Sequence, residues 1–279
     1  MDKLSFSAEF FPPRTVEAEE ALWPVVKAFS AAKPRFLTVT YGAGGTTQSK
    51  TLEIAVKIQD MTGIPTATHL TCVGAKKEDI YKRLDLLWES GIKHIVALRG
   101  DPPKGRSYPN LDNPDYYHYG SELVAAIKAH NSDFEVSVGA YPECHPQCDC
   151  PDKDLSHLKH KMEQGADRAI TQFFFEKGCF QSFAKKYEEQ KIQGELVAGL
   201  VAINNYEGIK RFSKNCGTCF PDWMCDMFEG NDDHELVAIN IIEGQLRELI
   251  DSGVDTFHFY AMNQANPTLR ALNNIRGVA

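Results

Sequence analysis

The sequence lacks the long apolar runs that are typical of membrane proteins. No stretch approaches the roughly 18 consecutive apolar residues that a membrane-spanning helix requires. The first residues, MDKLSFSAEFF, also lack the charged segment and following apolar segment of a secretory signal peptide. We therefore expect a soluble, cytoplasmic protein that does not bind membranes.

The sequence also lacks a basic cluster. Its 279 residues include 30 Lys and Arg against 38 Asp and Glu, which gives a net charge of −8. Nucleic-acid-binding proteins usually present a positively charged face, so we expect no nucleic-acid partner. Hydrophobic residues make up 43% of the chain and charged residues 24%, which excludes a largely disordered protein and allows a large core.

Two nucleotide-binding fingerprints, GxGxxG and GxxxxGKS/T, are missing from the chain. The sequence therefore gives no indication of a Rossmann domain or of a P-loop. Internal repeats, low-complexity tracts and linkers rich in Gly, Ser or Pro are missing as well. Because no composition change divides the chain, we expect one domain that spans residues 1–279.

The eight cysteines suggest no disulfide framework, because a chain of this length without a secretory signal is expected to keep its thiols reduced. The segment ECHPQCDC places Cys144, Cys148 and Cys150 close together, and NCGTC adds the CxxC pair of Cys216 and Cys219. A CxxC pair is a common half of a zinc or iron–sulfur site. A second CxxC at zinc-ribbon spacing is absent, so we expect unliganded thiols and no metal.

Short apolar, β-branched or aromatic runs recur eight times and predict strands. They cover residues 5–11, 35–41, 65–72, 94–100, 135–141, 168–175, 196–203 and 256–263. Between them, helical periodicity predicts helices. These cover residues 17–31, 49–61, 77–89, 122–130, 155–163, 183–190 and 234–250. Eight strands that alternate with helical segments predict a single-domain α/β protein with a (β/α)8 TIM barrel, and the alternative is an open doubly wound sheet.

In such a barrel the chemistry lies at the carboxyl ends of the strands. The first of these ends carries Glu9 between Phe6, Phe10 and Phe11. Desolvation among aromatic rings raises the pKa of a carboxyl group and suits it to act as a general acid near neutral pH. The alternative is a strand glutamate that only pairs with Arg14.

The fourth predicted strand, HIVAL, runs directly into Arg99, Gly100 and Asp101. A cation, a bare backbone and an anion at the end of a core strand indicate ligand contacts. Most of the other predicted strand ends also carry polar or ring-bearing residues, which predicts one shared cleft. These residues are Thr40, Tyr41, His69, Tyr141, His145, Gln172, His258, Asn263 and Gln264.

Seven motifs occur in an order that resembles one known family. They are EFFPPR, TVTYGAGG, HLTC, ALRGDPP, AYPECHP, KMEQGADRAITQFFFE and FHFYAMN. Together they resemble the methylenetetrahydrofolate reductase family of flavoenzymes, in its bacterial catalytic-domain form. The resemblance implies a (β/α)8 barrel that binds FAD at the carboxyl ends of its strands. It also implies ping-pong reduction of 5,10-methylenetetrahydrofolate to 5-methyltetrahydrofolate, with NADH or NADPH as electron donor, in one-carbon and methionine metabolism.

The resemblance also implies roles for individual residues. Glu9 matches the general acid, and Asp101 matches a catalytic carboxylate beside the flavin and the pterin. Lys161 matches the cation that faces the FAD pyrophosphate. The residues that match cofactor contacts are Thr40, Tyr41, Ala43, His69, Arg99, Gly100, Asp101, Gly120, Tyr141, His145, Cys148, Asp154, His157, His160 and Lys161. Those that match folate contacts are Asp101, Gln172, Phe212 and Gln264.

Four positions depart from the family pattern, and one of them is Gly208, which replaces a commonly polar residue near the substrate. His157 and His160 stand where the family more often has Asn and Arg. We expect this to weaken the electrostatic attraction for FAD. Gln264 stands where an arginine is usual. Two alternatives therefore stay open: a folate-binding barrel that acts without flavin, and a non-catalytic folate-binding subunit. The resemblance also implies a homo-oligomer, and it leaves the choice between NADH and NADPH open.

Overall fold

The predicted strand segments form a closed barrel. The computed structural model describes residues 4–41, 48–102, 108, 113–203 and 205–277. Eight parallel strands follow one another in chain order, and the last pairs with the first. They are β1 Ser5–Phe10, β2 Phe36–Val39, β3 Thr66–Thr71, β4 His94–Leu98, β5 Glu135–Ala140, β6 Arg168–Thr171, β7 Glu195–Val201 and β8 Thr256–Tyr260. The (β/α)8 prediction is confirmed, and the open sheet is excluded.

Ten helices occur in the described ranges, and none of them is long and apolar enough to cross a membrane. They are α1 Val16–Ala31, α2 Gln48–Thr62, α3 Lys77–Glu89, α4 Gly120–His130, α5 Pro151–Glu163, α6 Lys177–Glu189, α7 Tyr206–Cys216, α8 Asp222–Glu229, α9 His234–Asp251 and α10 Thr268–Arg276. All seven predicted helices are present, although α6 begins before residue 183. The sequence pattern did not predict α7, α8 or α10.

The sixth strand is shorter than predicted, because β6 ends at Thr171 whereas the apolar run continues to residue 175. Gln245 on α9 donates its Nε2–H to the carbonyl oxygens of Phe174 at 2.9 Å and Phe175 at 3.3 Å. These carbonyls therefore bond to a side chain instead of to a neighbouring strand. The aromatic run leaves the sheet and remains buried.

Strand β1 shows how polar side chains enter the barrel interior. Side chains alternate along a strand, so successive residues of β1 face the helices and the barrel interior in turn. Phe10 packs against Phe29 of α1 with ring centroids 5.5 Å apart, whereas the Ser7 hydroxyl lies 2.7 Å from Nδ1 of His258, its neighbour on the adjacent strand β8. Glu9 shares the face of Ser7 and is buried inside the barrel.

The amino-terminal end of the barrel is closed by one arginine. Arg168, at the start of β6, is 4% exposed and donates to Glu135 at 2.6 Å and Glu195 at 2.7 Å. It also donates to the Ser137 hydroxyl at 3.3 Å, and its guanidinium lies 4.7 Å from the centre of the Phe36 ring. Residues at the amino-terminal end of a barrel contribute to stability, whereas catalytic residues lie at the carboxyl end. We therefore assign this network a structural role.

Candidate active site

A buried carboxylate lies near the carboxyl end of β1. Glu9 is 7% exposed, and its Oε2 atom lies 3.0 Å from His69 Nε2 on β3 and 3.7 Å from His258 Nε2 on β8. The other ring nitrogen of His258 is held by Ser7. Three strands that are distant in the sequence therefore supply one carboxylate and two imidazoles inside the barrel.

The charge state of Glu9 differs from the sequence expectation. Burial raises the pKa of Glu9, as expected, but the neighbouring imidazoles of His69 and His258 outweigh burial and lower the pKa to about 2. The expectation of a raised pKa is therefore wrong for this arrangement. The carboxylate is ionised at neutral pH and can stabilise positive charge on a ligand. Its partners are the two histidines and not Arg14, which is exposed.

The Arg99–Gly100–Asp101 segment turns outward at the end of β4. Gly100 has a φ of +84°, and a Cβ atom there would lie 2.7 Å from Val73 Cγ1 and 2.8 Å from Thr71 Cβ. Only glycine allows this turn, because neighbouring side chains fill the space. Asp101 is left exposed after the strand, where its carboxylate is free to accept hydrogen bonds from a ligand.

Arg99 is held over the mouth of the barrel by its neighbours. Its guanidinium donates to the Tyr108 hydroxyl at 2.5 Å and also to the Gln147 side chain. It stacks over the Tyr108 ring at 4.1 Å from the ring centre. The cation is thereby fixed between the loops that follow β4 and β5, beside the position predicted for the cofactor.

A second cation lies under the end of β5. Lys161 Nζ donates to the Gly139 carbonyl oxygen at 2.5 Å, and no carboxylate lies within ion-pair distance of it in the described ranges. Burial lowers the pKa of Lys161 to about 8, although Asp154 opposes the shift. His145 lies nearby with its ring edge-on to Tyr141 at 4.6 Å, and burial lowers the pKa of His145. This group of nitrogen donors is suited to an anion.

Replacing Lys161 by Met should change how stability depends on pH. A buried ammonium costs stability below its folded pKa of about 8, and the cost is relieved as pH rises towards the ordinary value of 10.5. Without bound anion, we expect Lys161→Met to be more stable than the wild type at pH 7, with a free energy of unfolding about 2 kcal/mol higher. Urea unfolding between pH 7 and 10.5 should show this gap closing. A constant gap, or an equal gap for Lys159→Met on the same helix, would contradict the assignment.

The remaining cofactor candidates differ in their hydrogen-bond partners and in their exposure. The Thr40 carbonyl accepts from the Thr51 hydroxyl at 3.0 Å, and the Tyr41 hydroxyl accepts from Arg83 at 3.0 Å. Gly120 begins α4, so its main-chain N–H is one of the free donors of a helix amino terminus. Ala43 lies outside the described residues. His160 lies on the exposed side of α5, where its Nδ1 is 4.0 Å from Glu163 Oε2.

The folate candidates differ in whether their side chains already have a partner within the protein. Gln172 follows β6, is half-buried, and makes no side-chain hydrogen bond within the part of the chain that the structure describes. Phe212 on α7 stacks on Phe173, with centroids 5.5 Å apart and planes at 23°. Gln264 is exposed and bonds only through its main chain to Ala261 among the described residues. Gln172 therefore has free polar atoms, whereas Phe212 already has a ring partner.

Sequence reasoning did not assign roles to two residues that organise this site. His258 is the second imidazole beside Glu9, and Tyr260 donates its hydroxyl to the Thr171 carbonyl at 2.9 Å. Both lie on the interior face of β8, two residues apart. The alternation of FHFYAMN contains this signal, because His258 and Tyr260 share one face while Phe257 and Phe259 share the other.

Asn263 connects the ends of the first and last strands. Its amide accepts from Phe11 N–H at 2.8 Å and donates to the Phe11 carbonyl at 2.9 Å, from a left-handed backbone with φ of 56°. We expect Asn263→Ala to lower the free energy of unfolding by about 1–3 kcal/mol in urea titrations. Asn266→Ala, which removes an exposed 3.4 Å bond to Glu235, is the control. Equal losses in the two variants would contradict this role for Asn263.

The fold and this site define a (β/α)8-barrel enzyme with its polar side chains gathered at the carboxyl ends of the strands. The family model described as methylenetetrahydrofolate reductase matches residues 1–276. The chain is 39% identical to proteins named 5,10-methylenetetrahydrofolate reductase from Pectobacterium carotovorum and Escherichia coli K12, over 94% of this chain and 87% and 88% of theirs. The chain belongs to the methylenetetrahydrofolate reductase family.

Solved structures support the fold independently. An uncharacterised protein from Clostridium thermocellum, described as binding two copies of 5-methyl-5,6,7,8-tetrahydrofolic acid, matches with a TM-score of 0.63. The two chains are 13% identical, and the match covers 97% of this chain and 93% of that one. A 2,3-dimethylmalate lyase matches with a TM-score of 0.54 at 10% identity. At these identities the similarity concerns the barrel alone.

Proposed function

We propose that this enzyme reduces 5,10-methylenetetrahydrofolate to 5-methyltetrahydrofolate, with FAD as the bound cofactor and NADH or NADPH as the electron donor. The observation that carries the proposal is the Glu9 carboxylate buried inside the barrel beside His69 and His258, in a chain whose relatives are named 5,10-methylenetetrahydrofolate reductase. An ionised carboxylate in a dry site is suited to a substrate that becomes cationic during the reaction.

The residues at the ends of β4 and β5 fit FAD. A dinucleotide carries a pyrophosphate, and Lys161 is a half-buried lysine whose ammonium group bonds only to a carbonyl oxygen among the described residues. Arg99 and His145 add nitrogen donors. Burial lowers the pKa of His145, the Asp154 carboxylate opposes the shift, and the cations Arg99 and Lys161 add to it. The phosphate groups of a pyrophosphate can accept charge-assisted hydrogen bonds from such cations. These residues would therefore hold the phosphate region, and bound FAD would supply hydride transfer.

The chain's own side chains would bind the substrate and manage its charge. Asp101 is exposed and accepts hydrogen bonds, and Gln172 can both donate and accept, so together they suit the amino-pyrimidine edge of a pterin. Glu9 would stabilise the cation formed when the methylene bridge opens. Because the pKa of Glu9 is about 2 in this arrangement, the proton for ring opening must reach Glu9 from an adjacent group or on substrate binding.

Flavin reconstitution tests the proposal. The full chain is incubated with FAD, freed of unbound flavin, and assayed for NADH- or NADPH-dependent formation of 5-methyltetrahydrofolate. We expect bound flavin and product formation in the wild type, and weaker flavin retention in Lys161→Met than in Lys159→Met. Product formation without flavin would support the flavin-independent folate barrel instead. Folate binding without turnover under any condition would support a non-catalytic subunit.

A further inference from the structure

The hydrogen-bond ladder between β6 and β7 changes its acceptor at the carboxyl end. Glu195 N–H donates to the Asp167 carbonyl at 3.1 Å, and the paired register of the two strands ends at Ile170. The Gly199 N–H, four residues further along β7, donates to the Thr171 hydroxyl at 2.8 Å. A continued parallel ladder would use the Thr171 carbonyl at this point. The side chain of Thr171 therefore replaces its own main-chain acceptor.

The Thr171 carbonyl turns into the barrel, where Tyr260 of β8 donates its hydroxyl to it at 2.9 Å. A Cβ atom on Gly199 would collide with this carbonyl oxygen and would lie 3.0 Å from Tyr260 Cε2. Glycine at this position therefore leaves room for the carbonyl and the ring together. Burial, assisted by the charge of Glu9, raises the pKa of Tyr260 well above its ordinary range. The hydroxyl consequently remains protonated and remains a donor.

The Thr171 carbonyl and the Gln172 N–H belong to the same peptide unit. That N–H donates to the Ala140 carbonyl of β5 at 2.7 Å. Because a peptide unit is planar, the bonds to Tyr260 at one edge and to Ala140 at the other fix its orientation. This orientation sets the direction in which the Gln172 side chain leaves the main chain. The Gln172 amide is half-buried and makes no hydrogen bond within the described ranges, so its polar atoms are available to a ligand.

We propose that Tyr260 is a positioning residue that orients Gln172 for recognition of the pterin of folate. The Tyr260 ring is itself held by edge-on contacts with His258 and Phe173, with ring centres 5.0 Å and 5.9 Å away. A side chain whose direction is fixed in advance loses less conformational freedom when it binds a ligand. The inference rests on the proposed function, because it concerns how tightly that enzyme binds its folate.

A double-mutant cycle tests whether Tyr260 acts through Gln172. The dissociation constant of 5-methyltetrahydrofolate is measured by calorimetry on the full-length, FAD-loaded wild type, Tyr260→Phe, Gln172→Ala and the double variant. Phenylalanine keeps the ring and removes only the hydroxyl. We expect Tyr260→Phe to weaken folate binding about tenfold when Gln172 is present, the effect of one ordinary hydrogen bond. In the Gln172→Ala background the same change should weaken binding less than about twofold.

A second pair of variants tests the exchange of acceptors at Thr171. Thr171→Val removes the hydroxyl, so that the Gly199 N–H can draw the carbonyl back into the ladder and away from Tyr260. Folate binding should then weaken by a factor similar to that of Tyr260→Phe. Thr171→Ser keeps the hydroxyl and should bind folate as tightly as the wild type. The amount of FAD bound per chain should be the same in all of these variants.

Tyr187→Phe is the matched control, because it removes a hydroxyl that donates to the Gln193 and Gly194 carbonyls at 3.1 Å and 3.3 Å, near the start of β7. It should bind folate like the wild type, and circular dichroism checks that every variant is folded. Equal losses from Tyr260→Phe in both backgrounds, or from Thr171→Val and Thr171→Ser, would overturn the positioning role alone. A wild type that neither binds nor forms 5-methyltetrahydrofolate would overturn the proposed function and this inference with it.

Discussion

Replacing Glu9 by Gln should separate the two halves of the reaction. The glutamine side chain has nearly the same size as glutamate but cannot stabilise a cation or carry an acidic proton. We expect NADH- or NADPH-dependent reduction of the flavin to stay close to wild type. Reduction of methylenetetrahydrofolate should fall roughly 10²- to 10⁴-fold, the usual contribution of a positioned acid or base. Stopped-flow absorbance of the two half-reactions measures both rates in one preparation.

A control for this prediction lies at the same end of the barrel. Glu143 is half-buried and accepts from Cys219 N–H at 2.7 Å, a bond that glutamine can keep. Glu143→Gln should therefore reduce folate at nearly the wild-type rate. If Glu9→Gln retained folate turnover, Glu9 would have no part in the chemistry. If both half-reactions fell equally, Glu9 would act on the cofactor site rather than on the substrate.

The same substitution should change acid stability. The folded pKa of Glu9 is about 2 against an ordinary value of 4.5, so its ionised form stabilises the folded protein above pH 4.5. This contribution is lost as pH falls from 4.5 towards 2. Urea unfolding should show Glu9→Gln to be less stable than wild type near pH 6, with the two converging in acid. A difference that is independent of pH would contradict the lowered pKa.

Arg168→Met should be the most destabilising substitution at the closed end of the barrel. The side chain is 5% exposed and binds two carboxylates, so its removal leaves Glu135 and Glu195 without their shared cation. Removing one partner of a buried ion pair costs about 3–5 kcal/mol. We expect a loss near the lower end, because Glu135 and Glu195 are 45% and 30% exposed. Urea unfolding at neutral pH measures the loss.

Arg35 provides the matched control, because it binds the same Glu195 from the surface. Its side chain is 42% exposed, and an exposed ion pair contributes only about 0–1 kcal/mol. Arg35→Met should therefore lower the free energy of unfolding by less than about 1 kcal/mol. If the two variants lost equal free energy of unfolding, the buried Arg168 ion pairs would contribute no more to stability than the exposed Arg35 pair, and the prediction would be wrong.

The strand–helix alternation of this sequence favoured the barrel over an open sheet, because seven of the eight apolar runs are followed by a segment with helical periodicity. Helices α7 and α8 were missed because they are short, with 11 and 8 residues, so that each offers only two or three turns over which a helical period can be recognised. Asn205 caps α7 by accepting from Gly208 N–H, and Gly217 ends it with a left-handed backbone. A single capping residue or glycine also occurs in many loops, so it indicates a helix end only when the neighbouring helices and strands are known.

The position of Glu9 was predictable, but its charge state was not. The apolar neighbours in the sequence indicate desolvation, which raises the pKa. The imidazoles that reverse the shift come from β3 and β8, and His258 lies 249 residues from Glu9. Their distance to Glu9 depends on barrel closure and strand register, which periodicity alone does not give. The family resemblance predicted that Lys161 supplies positive charge for the cofactor. It did not predict that its ammonium group donates to the Gly139 carbonyl.

The most direct test of the account is a two-step anaerobic experiment on one flavin-loaded sample. NADH or NADPH is added until the flavin absorbance bleaches, the nucleotide is removed, and methylenetetrahydrofolate is then added. We predict that the flavin absorbance returns and that about one 5-methyltetrahydrofolate forms per flavin, as ping-pong hydride transfer requires. A flavin that bleaches but is not reoxidised by methylenetetrahydrofolate, or product that forms without any flavin signal, would contradict the proposed function.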